Sequence, residues 1–111
     1  MTAGPPPMRI GVSPRGVEID DGQGGVLAPW SDVHRVTAYA LDVVVGTVRH
    51  VSFDLVNGHS VEMNDTMPEW DDMVEALPGL VELAVDDLPA ALDGLLPDAE
   101  PVVVAGPARV R

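Results

Sequence analysis

Cysteine is absent, and so is lysine. Without thiols the chain forms neither a disulfide nor a thiolate zinc site, and it suits a reducing compartment. Without lysine, all fixed positive charge rests on six arginines, set against eighteen acids, for a net charge of -12. Such a surface repels nucleic-acid phosphates and anionic lipid, so neither nucleic acid nor membrane is expected as a partner. No apolar run reaches the ~18–20 residues of a membrane span. The opening Met1-Thr-Ala-Gly-Pro-Pro-Pro has neither the basic nor the apolar region of a signal peptide. A cytoplasmic protein is expected.

What is present describes an ordinary globular chain. At 111 residues, 46% hydrophobic and 22% charged, it is long enough for one domain with a working core. The expected division is a disordered arm at 1–8, a single domain over 9–97 and an extended C-terminal tail at 98–111. The acidity attracts a basic protein and speeds the encounter. Solubility alone also accounts for it.

The chain is organised around residues 48–65. Val51, Phe53 and Leu55 alternate with Ser52 and Asp54, and Val61 and Met63 alternate with Ser60, Glu62 and Asn64. A period of two indicates half-buried strands, and Asn57-Gly58 between them signals a hairpin. A two-residue turn would put the two apolar stripes on opposite faces. A three-residue loop, Asn57-Gly58-His59, pairs Leu55 with Val61 and Phe53 with Met63 and keeps the stripes together. The other face carries His50, Ser52 and Asp54 toward water.

Upstream, Ile10 and Val12 alternate, Ser13-Pro14-Arg15-Gly16 is a turn, and Val17 and Ile19 alternate again. Val26-Leu27-Ala28 starts another strand. One helical turn at Pro29-Trp30-Ser31-Asp32-Val33 aims Trp30 and Val33 at the core. Val36, Ala38 and Ala40 continue as a strand, with Arg35, Thr37 and Tyr39 on its other side. Leu41 to Val48, with Gly46 inside, reads as a connection whose Val43-Val44-Val45 could extend either neighbouring strand.

Downstream, Thr66 and Glu69 have capping-box spacing. Met67, Trp70, Met73, Val74 and Leu77 share one helical face, and Asp71, Asp72 and Glu75 share the other. Burying Trp70 and its neighbours contributes roughly 1.5–3 kcal/mol per large side chain. A short apolar link, Leu80 to Val85, precedes a second helix, Leu88 to Leu96, capped by Asp86 or Asp87 and ended by Pro97. Val102 to Val104 dock as an extended segment.

Candidate chemistry is sparse. His50, Ser52 and Asp54 suggest a Ser-His-Asp set, but strand positions i, i+2 and i+4 span ~13 Å and point in parallel. A metal site from His34, His50, Asp32 and Asp54 would need adjacent strands, and no metal-motif spacing supports it. The glycines at 22, 24 and 25 lack the Lys-Ser/Thr of a phosphate loop. Catalytic, cofactor-binding and metal residues are therefore all expected to be none.

The runs Pro29-Trp30-Ser31-Asp32-Val33-His34-Arg35-Val36-Thr37-Ala38-Tyr39 and Val61-Glu62-Met63…Trp70-Asp71-Asp72-Met73 resemble a segment of small bacterial proteins. There a Trp-x-Asp-Val turn, a hairpin and a helix follow in order. Over residues 9–85 the order also resembles a bacterial pleckstrin-homology-like domain. The chain reads as having too few strands for that family's seven-strand barrel. It also lacks the basic pocket of lipid-binding members, so the resemblance brings no ligand and no functional residue.

The expected fold is α+β, an antiparallel sheet of four or five strands followed by two covering helices. The expected function is non-catalytic binding of a basic protein, with Asp71, Asp72 and Glu75 as the interaction residues. An immunity-type inhibitor of a basic toxin is one concrete form. Self-association through a sheet edge, and an enzyme or metal protein working around His50 and Asp54, are the alternatives.

Overall fold

A computed structural model describes residues 9–20, 22, 24–44 and 46–106. The expected N-terminal arm and the last five residues of the expected tail lie outside that set.

Strands β1 (Arg9–Ser13), β2 (Gly16–Asp20) and β3 (Gly25–Pro29) make an antiparallel meander of three. Pro29 cannot donate to a ladder and stands at the end of β3. A 3-10 turn over Trp30–Asp32 then redirects the chain into β4 (Val33–Val43). Next come β5 (Gly46–Leu55), β6 (Ser60–Asn64), α1 (Trp70–Ala76), a 3-10 turn at Leu77–Gly79 and α2 (Leu88–Asp93). Finally β7 (Val102–Ala105) returns to β4, so the second sheet runs β6-β5-β4-β7.

The α+β class holds, but the single sheet does not. Two sheets, of three and four strands, share the work, and the last strand follows the helices. Val102 to Val104 form an edge strand, where the nearby Pro101 costs no ladder bond.

The hairpin differs from expectation by two residues. Phe53 opposes Val61 and Val51 opposes Met63. The loop is Val56-Asn57-Gly58, closed by Leu55 N–H donating to the His59 carbonyl at 2.8 Å and Gly58 N–H to the Leu55 carbonyl at 3.0 Å. Gly58, at φ +91°, occupies the left-handed position that follows a type I turn, and this sets which three residues form the loop. A slip of two preserves the faces. Val51, Phe53 and Met63 are therefore all fully buried.

A bulge at His34 settles a second conflict of period. Val33 opposes Leu55 and Arg35 opposes Asp54, leaving His34 as the extra residue. Val33 and Val36, three apart, can then both face inward. β7 repeats the device, so that Val104 and Ala105 are both buried. The expected connection at Leu41 to Val48 is mostly strand, because the β4–β5 ladder runs on to Val43 opposite Gly46.

Trp30 bridges the two sheets. Its indole N–H donates to the Ser13 carbonyl at 2.8 Å and its ring lies 6.2 Å from Phe53, tilted by 57°. From the helical side, Trp70, Met73, Leu77, Leu88 and Leu92 complete the core. The Thr66–Glu69 capping box does not form. Asn64 accepts the Thr66 N–H at 3.0 Å in a local turn, and α1 starts only at Trp70. α2 ends at Asp93 rather than Leu96, with Gly94 after it. Asp87 does cap α2, accepting from Ala90 N–H at 3.1 Å.

Gly16 lies where the meander is tightest. A Cβ there, at φ +149°, would sit 2.1 Å from the Ala28 carbonyl oxygen, whereas one at Gly11 meets nothing within 4 Å. Urea unfolding should show Gly16→Ala losing more than about 2 kcal/mol. Gly11→Ala should move stability by no more than about 1 kcal/mol in either direction.

Candidate functional site

The outer face of the four-stranded sheet is polar because the inner alternation is apolar. Register places Arg35, Asp54 and Ser60 in one row, Thr37, Ser52 and Glu62 in the next, and Tyr39, His50 and Asn64 in a third. The Ser52 hydroxyl donates to Asp54 Oδ1 at 2.9 Å, and Arg35 Nε stands 3.3 Å from Asp54 Oδ2. Asp54 is thus shared between a hydroxyl and a guanidinium. His50 lies elsewhere, stacked on Tyr39 with ring centroids 4.9 Å apart and planes 1° apart. The structure brings Ser52 to Asp54 but does not bring His50 to Ser52. The relay of serine proton to imidazole is not assembled.

Tyr39 reaches diagonally over β5, and its hydroxyl donates to the Glu62 carboxylate. Burial of the phenol, the hydrogen bond to Glu62 and the negative charge of Glu62 and Asp54 push its pKa up to about 12. Neither this bond nor the Arg35–Asp54 pair was foreseen. The first depends on the β5–β6 register, which the sequence pattern leaves two residues out, and the second on the pairing of β4 with β5, which the pattern does not specify.

Arg49 points to the opposite face. It donates from Nε to Asp65 Oδ2 at 3.1 Å and from Nη1 to Asp93, so one guanidinium joins β5, the β6–α1 link and α2. The Asp65 hydrogen bond, with Asp93 adding to it, raises the pKa of the guanidinium further. Arg9 lies 3.7 Å from Glu69, whose other carboxylate oxygen is buried without a hydrogen-bond partner.

The charge is divided along the chain. Every charged side chain from residue 66 to residue 108 is a carboxylate. On α1, Asp71, Asp72 and Glu75 are exposed while Trp70 and Met73 on the other side are buried, as the helical period requires. Among the described residues none of these three acids has an ion-pair partner. His34 and Asp32 are exposed near the bulge, and no group of three or more histidine or acidic residues among the described residues is placed to hold a metal ion. Among the described residues no helix is long and apolar enough to cross a membrane. No family model, curated protein or solved structure matches the chain.

Tyr39 is the only tyrosine, so tyrosinate absorbance reports on it alone. In the folded protein it should titrate at about 12, and Glu62→Gln, which removes a charge, should lower the midpoint. The folded state holds this proton more tightly than the unfolded chain, whose tyrosine keeps the ordinary value of 10.0. The stabilisation is therefore complete below that value and is lost as pH climbs toward about 12. An unmoved midpoint in the Glu62 variant would remove Glu62 as a cause.

Proposed function

We propose that this chain is a small acidic, non-catalytic module that binds a basic protein, in the manner of an immunity protein covering a toxin. The observation that carries the reading is the exposed row Asp71, Asp72 and Glu75 on a helix whose other face is held in the core. The row belongs to a stretch with no arginine, lysine or histidine from residue 66 to residue 108.

The α1 acids are unneutralised charge on an ordered support. The three carboxylates repel one another, and Arg49 is engaged by Asp65 and Asp93 instead. A basic partner relieves that repulsion and is drawn in by the field of the whole molecule. Trp70 and Met73 anchor the helix, so the backbone that carries the carboxylates is already ordered before binding. Kinship with pleckstrin-homology-like domains belongs to the same proposal. It is supported by the order of meander, Trp30–Asp32 turn, hairpin and helix, and it brings no ligand.

The test is titration calorimetry of the purified protein against the products of its neighbouring genes. A basic product should bind. Asp71→Asn/Asp72→Asn/Glu75→Gln should weaken it by at least about tenfold, and raising salt from about 50 to about 500 mM should weaken the wild type similarly. Failure of every basic neighbour to bind, or binding indifferent to the triple substitution, would defeat the reading.

A further inference from the structure

Beyond Ala38 on one side and His50 on the other, the four-stranded sheet narrows to two strands. β7 pairs with β4 only over Val36–Ala38, and β6 pairs with β5 no further than His50. The β4–β5 ladder runs on to Val43 opposite Gly46. It projects as an arm whose β4 edge, Tyr39–Val43, has no strand beside it among the described residues. Such an edge offers a row of backbone donors and acceptors to another strand.

The two faces of the arm differ in chemistry. Alternation sets Tyr39, Leu41 and Val43 on the outer face, with Ala40 and Asp42 on the other. Leu41 is 47% exposed, Val43 43% and Val44, at the tip, 105%. These are large apolar side chains left in water, and no proline or positive charge blunts the edge. On the reverse face of this edge Ala40 is buried and Asp42 is exposed. Asp42 accepts from the Thr47 hydroxyl at 3.2 Å, and Arg49, one turn of the pleat nearer the sheet, is held by Asp65 and Asp93.

We propose that the Tyr39–Val43 edge accepts an extended strand from a protein partner whose residues alternate aliphatic with basic. The aliphatic side chains of that strand lie beside Leu41 and Val43, and its basic ones lie over Asp42 on the reverse face. Charge selects this occupant over a second copy of the chain. Each copy carries -12, so self-pairing at the arm brings two like fields together. The proposal adds a surface distinct from α1 and shares with the preceding reading only the basic character of the partner.

The probe is a fluorescent peptide of alternating valine and arginine, with an alternating valine and glutamate peptide as its counterpart. Anisotropy with the full chain should show binding of the first and none of the second. Leu41→Ser/Val43→Ser, at exposed positions, should weaken binding by at least about tenfold. N-methylation of alternate peptide nitrogens, which removes strand donors and leaves the protein untouched, should do the same. Asp71→Asn/Asp72→Asn/Glu75→Gln should change binding by less than about twofold. The proposal is overturned if the valine–arginine peptide does not bind at about 1 mM. It is equally overturned if binding ignores both the arm variant and N-methylation, which would be charge attraction alone. Loss of binding in the α1 variant but not the arm variant would sink the edge and leave the α1 reading standing. A wild-type dimer in sedimentation that the arm variant makes monomeric would assign the edge to a second copy.

Discussion

Phe53 is the contact on which the molecule turns. It is fully buried near the C-terminal end of β5, flanked by Val36 on β4 and Val61 on β6, with Trp30 tilted against its ring. Both sheets meet there, because Trp30 is tied through its indole N–H to the end of β1. The helical layer joins the same core through Trp70 and Met73. A chain with few aromatics has spent three of its four on this junction. The fourth, Tyr39, sits on the other face, where its hydroxyl meets a carboxylate.

That junction demands that several strands present their apolar sides together, and two bulges make it so. β4 and β7 each carry one extra residue, which lets Val33 and Val36, three apart, and the adjacent Val104 and Ala105 all be buried. The same alternation leaves the outer face to Arg35, Thr37, Ser52, Asp54 and Glu62. Its polarity follows from the core on the other side, and hydrogen bonds along the face engage Asp54 with Ser52 and Arg35. The acids of α1 and the bare edge of the arm are different in kind. They are features whose charge or backbone capacity has no counterpart within the described fold.

Much of this was legible in the chain. The strand pair around Pro14-Arg15, the Trp30–Asp32 turn, the parity of the hairpin, the buried Trp70–Met73–Leu77 face and the Asp87 cap all follow from local rules of period and backbone chemistry. The loop lies one residue earlier than expected, which shifts the pairing by two, because Asn57-Gly58 fits more than one three-residue loop, and only the glycine's place after a type I turn separates them. The helix start was misplaced because Asn64 competes for the same N–H that a capping box at Thr66 would organise. Leu41 to Val48 was read as a connection because exposed valines beside glycine look the same in a loop and in an unsupported ribbon.

Alternation of apolar and polar residues, turn glycines and the division of charge are properties of short stretches. They determined by themselves most of the element types, the inward faces of the hairpin and α1, and an acidic exterior. Which strands are neighbours is a property of distant pieces of chain. That β7 returns to β4, that Tyr39 meets Glu62 and that Arg49 reaches Asp93 were decided only when the two sheets and the helices closed on one core. The reason is that a buried face constrains what lies against it by shape and period alone, and several partners satisfy those two conditions until the whole volume is filled.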